Sequence, residues 1–313
     1  MKRIEHFLKR RYLDGRIWLH FRTLSPERAA LVRSKHHLYT DPCDPRARKK
    51  IIADSMRRRF PRNQKFWHAA MAEIAPDTVL DIGLNYGECL FSTTLTPNTR
   101  AFGFEANLRL RLWVDRNLAE HPSREQMEVL FQLMTDGEIG EEEFFVDKKW
   151  SGGSTAGLDA DSFDELRYGK IVVPKCSVDF VLRDKKVAVG SLFFKIDVEG
   201  YESRMLSGMQ HALAGAERFL GFVEFNGDMV KRSGEDVASY WKNLTESFAV
   251  FAIDRSNEWR RVDDLAFAQF AAFCGKHFHT NLVLTRVETT ALAETVLSRL
   301  DGESGRATPR RAA

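Results

Sequence analysis

Val79-Leu80-Asp81-Ile82-Gly83-Leu84-Asn85-Tyr86-Gly87-Glu88 is the stretch that decides the fold. An apolar run ends in an acid, and a glycine-bounded turn then opens what reads as a helix over 88–95. Glycine tolerates the positive φ of such a turn and lets a ligand approach the backbone. Glu105, twenty-two residues past Gly83, ends a second run, Ala101-Phe102-Gly103-Phe104-Glu105. In open α/β sheets ligands bind beyond the carboxyl ends of the strands, and an acid ending the second strand accepts ribose hydroxyls. Free N–H groups opening the following helix favour a carboxylate, and Asp81 is placed to accept from a ligand ammonium. Laying out G-x-G-x-x-G from Gly83 puts Asn85 and Glu88 at the second and third glycine positions, where side chains crowd a pyrophosphate. A nucleoside ligand without phosphate, such as S-adenosylmethionine, needs neither glycine.

Outward from that turn the segments alternate in type. Apolar runs over 78–82, 100–105, 128–134, 192–198, 219–225, 250–253 and 281–285 read as strands. Runs over 108–120, 201–214 and 237–248 read as helices. Strands apolar throughout, alternating with helices, predict a mostly parallel sheet covered on both faces. The interval 136–190 breaks the rhythm. It holds runs at 143–146 and 171–173 that read as extra strands and the polar loop Ser151-Gly152-Gly153-Ser154, and reads as an insertion over the site edge. Asp136, at its start, joins the cofactor candidates.

A second constellation lies in Lys195-Ile196-Asp197-Val198-Glu199-Gly200-Tyr201-Glu202. Asp197 and Glu199 share a face by strand alternation, and Glu224 ends the neighbouring strand. Three acids at one sheet edge form a general base or a divalent-metal site. Their bland reading is that Glu202 caps its helix and Lys195 pairs with a carboxylate. His279, ahead of the last strand, is the other candidate base.

The chain has 313 residues and a net charge of +3. Residues 1–70 carry 19 Lys and Arg against 6 Asp and Glu, leaving 28 against 38 for the rest. A helical basic extension (1–70) therefore precedes an acidic domain (71–288), followed by a helix and a tail, disordered from Asp301 (289–313). Within the extension, 47–59 and the spacing of Phe66, Trp67, Ala70, Met71 and Ile74 predict helices. Such an extension could bind anionic lipid or nucleic acid, or simply solvate its own face. No run reaches the roughly 20 apolar residues of a membrane span. Four scattered cysteines without CxxC pairs suggest reduced thiols and a cytoplasmic setting, peripheral to a membrane if the extension binds lipid.

These motifs resemble the FkbM-type methyltransferase family, whose members carry V-x-D-x-G-A-N-x-G, F-E-P and K-I-D-V-E-G segments. Asp81, Gly83, Asn85 and Gly87 match the first, Phe104 and Glu105 the second, and Lys195 through Gly200 the third. Leu84 stands for the usual Ala and Ala106 for the usual Pro. The resemblance covers about 77–286. It implies a Rossmann-like class I methyltransferase with a mostly parallel seven-stranded sheet, using S-adenosylmethionine for O-methylation of a sugar, glycan or secondary-metabolite hydroxyl. Asp81, Gly83, Asn85, Gly87, Glu105 and Asp136 are the cofactor candidates. Asp197, Glu199, Glu224 and His279 are the catalytic ones, with Asp197 or Glu199 as the expected base, Glu224 orienting the acceptor, and those three acids as ligands should a metal bind. Two other functions compete. One is a nucleic-acid methyltransferase recruited by the extension, disfavoured by the acids beside any approaching phosphate and by the absence of an N/D-P-P-aromatic turn. The other is a non-catalytic binder of cofactor or glycan.

Overall fold

The computed structural model describes residues 2–304 apart from 25, 32, 33, 35, 58–60, 138, 160, 255 and 277. The basic extension opens with α1 (Lys2–Phe21), an antiparallel hairpin of β1 (Arg28–Ala30) and β2 (His37–Tyr39), and α2 (Pro45–Arg57). Asp44 starts α2 by accepting the Ala47 N–H at 3.1 Å, with Pro45 at the first helical position, where no donor is needed. The next helix, α3 (Arg62–Ile74), buries Phe66, Trp67, Ala70, Met71 and Ile74, the five residues whose spacing predicted it. It ends at Ala75, whose φ of +44° lets its N–H return to the Met71 carbonyl. The expected boundary at 70/71 thus falls inside a helix.

The central strands are β3 (Thr78–Ile82), β4 (Arg100–Phe104) and β5 (Met127–Leu130). A side layer follows with β6 (Leu133–Met134), β7 (Gly140–Asp147) and β8 (Tyr168–Cys176). Then come β9 (Ser191–Ile196), β10 (Arg218–Asn226), β11 (Ala249–Ile253), β12 (Trp259–Arg261) and β13 (His279–Thr285). The main sheet has the order β12-β11-β13-β10-β9-β3-β4-β5. From β5 to β10 neighbours run parallel, whereas β13 lies antiparallel between β10 and β11. The chain winds outward from β3 in one direction and from β9 in the other. The switch in strand order therefore falls between the carboxyl ends of β3 and β9, where doubly wound sheets bind ligands.

Helices α4 (Arg111–Ala119), α5 (Val178–Asp184), α6 (Glu202–Ser207), α7 (Gln210–Gly215), α8 (Gly227–Arg232), α9 (Val237–Ser247), α10 (Phe267–Cys274) and α11 (Thr290–Ser304) complete the fold. Successive strand residues serve opposite layers, so Phe193 enters one apolar cluster and Phe194 the other. The Phe193 cluster takes Phe66, Trp67 and Ile74 of α3 and Val296 of α11, together with Ile17, Leu38 and Ile51 of the extension. The Phe194 cluster takes Leu206, Leu213, Trp241 and Phe270 from α6, α7, α9 and α10. This is the doubly wound Rossmann-like architecture the sequence implied.

Five expectations change. Residues 88–95 form only a 3₁₀ turn at Leu90–Ser92, because Asn85 and Gly87 hold positive φ and the Asp81 carboxylate takes the Leu90 N–H; Thr93, Thr94, Thr96 and Pro97 then discourage a helix. The run 128–134 divides at Phe131 and Gln132, since Leu133–Met134 pairs with β8 instead of extending β5. The run 201–214 divides at Gly208, where a Cβ would lie 2.0 Å from the Thr135 carbonyl oxygen. The sheet has eight strands, with charged β12 as an antiparallel edge. Of the expected disordered tail, 301–304 continue α11; 305–313 lie outside the described residues.

Candidate active site

The carboxyl ends of β3, β4, β9 and β10 converge on one cavity. The turn after β3 is locked from both sides: the Gly83 and Leu84 N–H groups donate to the Phe104 carbonyl of β4. Gly83 has φ +77°, and a Cβ there would lie 1.9 Å from the Asp197 carbonyl oxygen. Gly83 therefore lets the turn lie against the end of β9. Asn85 takes φ +54°, a conformation its side chain tolerates better than most. Its N–H donates to Glu105 at 2.6 Å, and its Oδ1 accepts from the Ser151 hydroxyl at 2.9 Å. Gly87 has a different role. It lies outside the cavity lining, and a Cβ would strike the Phe91 ring at 2.2 Å.

Glu105 is buried, with its two oxygens accepting from the Asn85 and Asn107 amides at 2.6 and 2.7 Å. Burial pushes its carboxyl up to about 7 against those two hydrogen bonds. Each oxygen keeps a further lone pair for a ligand. Asp81 is 1% exposed and is already engaged: Lys195 Nζ lies 3.2 Å from Oδ1 and the Leu90 N–H donates to Oδ2. Asp81 thus already accepts from an ammonium of the protein, while it still lines the cavity where a ligand ammonium was expected. Burial raises Asp81 to about 6, with Lys195 pulling the other way. Lys195 also donates to the Gly83 carbonyl and lies 3.5 Å from Asp197. Burial opposes its charge, but the two aspartates win and hold its pKa above the ordinary value.

Asp197, Glu199 and Glu224 meet as expected, with one oxygen of each within 4.8 Å of the others. Burial would raise Asp197, but Lys195, a hydrogen bond from Glu224 and Lys50 together keep it below its usual value. The Asp197 charge, then burial, raise Glu224 to about 7, while His279 opposes them. His279 Nε2 is 2.8 Å from Glu224 Oε1 and lies outside the cavity lining, nearer solvent. Burial, then the Glu224 and Asp197 charges, push Glu199 up to about 9. Glu199 holds φ +53°, and its carbonyl accepts from the Thr155 hydroxyl. Glu202 does not cap α6 from outside. It is buried, with Oε1 accepting the Val198 and Gly200 N–H groups of the turn.

Asp136 is not part of this arrangement. It is exposed in the connection after β6, accepts from the Thr135 hydroxyl, and is absent from the lining, because the chain leaves the main sheet after Leu130. Gln132, Leu133 and Met134 face the cavity in its place.

Several lining residues escape the motifs. Lys50 and Asn63 come from the extension, and Trp150 and Ser151 from the insertion. Asp44 Oδ2 accepts from the Ser151 N–H at 3.0 Å and the Tyr86 hydroxyl at 3.4 Å. Arg46 lies over the Trp150 ring at 4.0 Å. One readable signal existed: Asp44-Pro45 is a helix start, which puts Arg46 and Lys50 one turn apart on one face. The lining carries six carboxylates (Asp81, Glu88, Glu105, Asp197, Glu199 and Glu224) against two cations, Lys50 and Lys195. A cationic ligand suits that balance and a phosphate does not.

No family model and no curated protein matches the chain. Solved structures similar to it include an O-methyltransferase from Bacillus cereus in complex with SAH, at 11% identity over 72% of this chain and 80% of that one, TM-score 0.40. A putative O-methyltransferase from Klebsiella pneumoniae is 10% identical over 72% and 81%, TM-score 0.41. The O-methyltransferase TomG from Streptomyces achromogenes, involved in tomaymycin synthesis and in complex with SAM, is 11% identical over 72% and 80%, TM-score 0.39.

Proposed function

We propose that this protein is an S-adenosylmethionine-dependent O-methyltransferase acting on a hydroxyl of a sugar, glycan or secondary metabolite. The observation that carries the reading is the convergence of the Gly83 turn, Glu105 and the Asp197–Glu199–Glu224 trio on one acidic cavity at the sheet's switch point. The residues fit the donor: it is a phosphate-free cation, and the lining holds six carboxyl groups, with Asp197 kept below its usual pKa, against two cations. Glu105 would accept from its ribose hydroxyls, Gly83 and Asn85 would border it, and Lys195 braces Asp81 so that the floor of the pocket keeps its shape. When bound, the donor supplies a methyl group on a positively charged sulfur.

The remaining chemistry falls to the acids. A hydroxyl is a weak nucleophile, and a carboxylate accepting its proton contributes about 10²–10⁴-fold. Glu224 suits that role best, because a base works most effectively with a proton affinity near the working pH. Asp197 keeps Glu224 basic by its charge, and His279 gives the proton a route to solvent. Glu199, protonated at neutral pH, donates to the acceptor or to its neighbours. The same trio is the set of expected metal ligands, yet Asp197 already lies beside the Lys195 ammonium and Glu224 bonds His279. These contacts favour proton transfer over metal binding.

Calorimetry on the full chain tests the donor site directly. S-adenosylmethionine and its demethylated product should both bind, and Glu105→Gln should weaken both by about tenfold through the loss of charge-assisted hydrogen bonds. Folded protein with no affinity for either compound would overturn the reading. A transfer assay with labelled donor against a panel of sugars and glycans then identifies the acceptor.

A further inference from the structure

We propose that the outward face of α1 docks the protein on an anionic lipid surface. The helix has two unlike sides. Ile17 is 1% exposed in the apolar cluster of the sheet, and Asp14 pairs with Lys49 of α2 at 2.7 Å. Opposite Ile17, two helical turns apart, stand Tyr12 and Leu19 at 65% and 63% exposure. Trp18 flanks them at 49%, and Leu24 follows the helix at 60%.

Cations frame this apolar strip. Arg11, Arg16 and Arg22 are exposed, with the Arg16 guanidinium 6.0 Å from the Tyr12 ring and that of Arg22 5.7 Å from the Trp18 ring. Residues 2–24 hold seven Lys and Arg against two acids, Glu5 and Asp14, and Asp14 is already neutralised by Lys49. Single exposed apolar side chains are ordinary, but four large ones along one helix and its exit mark a contact surface. A headgroup boundary satisfies both kinds of group at once. Leucines enter the acyl edge, aromatic rings lie at the interface, and guanidinium groups meet lipid phosphates. RNA would use the arginines but gains nothing from Leu19 and Leu24. Among the described residues no helix is long and apolar enough to cross a membrane, so this is attachment along the surface.

The test is co-sedimentation of the full chain with vesicles of phosphatidylcholine alone or mixed with phosphatidylglycerol. Binding should require the anionic lipid and weaken with salt. Replacing Arg11, Arg16 and Arg22 one at a time by alanine should lower partitioning about fivefold each. A Trp18→Ser, Leu19→Ser variant should lower it more than tenfold. Both side chains are exposed, so circular dichroism should show the variant folded. Equal partitioning onto both vesicle types, no partitioning at all, or unchanged binding by the serine variant would each overturn the proposal. So would salt-sensitive capture of RNA that is indifferent to the serine changes and displaces the vesicles.

Discussion

Glu199 sits at φ +53° beside Gly200 at +100°, a backbone region that costs a non-glycine residue on the order of 1–2 kcal/mol. The carbonyl contact from Thr155 helps hold it there, and the turn brings the Glu199 carboxylate round toward Asp197 and Glu224. Strand alternation made the Asp197–Glu199 pairing legible, although an irregular turn produces it. What spacing could not supply is the division of labour, because that depends on burial and on Lys195. Glu224→Gln should lower kcat by about 10²–10⁴-fold and leave donor affinity within about twofold, as calorimetry on the same variant would show. In the parent, activity should rise as pH climbs through about 7, where Glu224 loses its proton. Asp197→Asn removes the negative charge that holds that proton on, so the acid limb of the profile should move to lower pH; a shift upward would reverse the assignment. Dialysis against a chelator should leave transfer rates unchanged, and restoration of a lost rate by a divalent cation would instead make the trio a metal site.

At the scale of elements, the strands were legible because an apolar run bounded by turn residues has few other ways to be buried. The helices after β3 and before β10 were not, since each is cut by a contact from outside its own run: Asp81 to Leu90 in one case, Gly208 against Thr135 in the other. The same kind of remote contact joins the extension to the site. Asp44 is at once the start of α2 and the acceptor for Ser151 and Tyr86. Asp44→Asn should keep much of the cap but loosen the Ser151 loop, raising KM for the acceptor several-fold with kcat little changed. Another junction packs His36, just ahead of β2, on His121, just after α4, with ring centroids 4.4 Å apart. His121 is 3% exposed; burial first, then the neighbouring His36, lower its pKa from 6.5 to about 4. The unfolded chain therefore binds that proton more readily than the folded one. Stability from this site is fully present above about pH 6.5 and is lost as the pH falls toward 4. Thermal melts of His121→Asn across that range should show a shallower acid decline than the parent, and parallel declines would remove His121 as the cause.

For the whole molecule, the opposite charges of the extension and the remainder suggest two loosely joined parts, whereas the packing describes one. Ile17, Leu38 and Ile51 belong to the same apolar cluster as Val79, Phe193 and Val296. Asn117 of α4 exchanges hydrogen bonds with Tyr39 of β2 and also donates to the Tyr86 carbonyl beside the site. Charge counts report solubility and partners rather than fold, so the sequence revealed the asymmetry while the shared core remained hidden in scattered single residues. Fully burying a side chain such as Ile17, Leu38 or Ile51 contributes about 1.5–3 kcal/mol, and net stabilities are only about 5–15 kcal/mol. Deleting residues 1–57 would remove all three together with the Tyr39–Asn117 pairing, enough to exhaust that margin. The full chain should accordingly melt in a single calorimetric transition with equal calorimetric and van't Hoff enthalpies. The truncated chain should be expressed unfolded or aggregated, without affinity for the donor. A second resolved transition in the full chain, or a truncated chain that folds and binds the donor as the parent does, would show that the extension is a separate appendage and that its contribution of Lys50 to the cavity is dispensable.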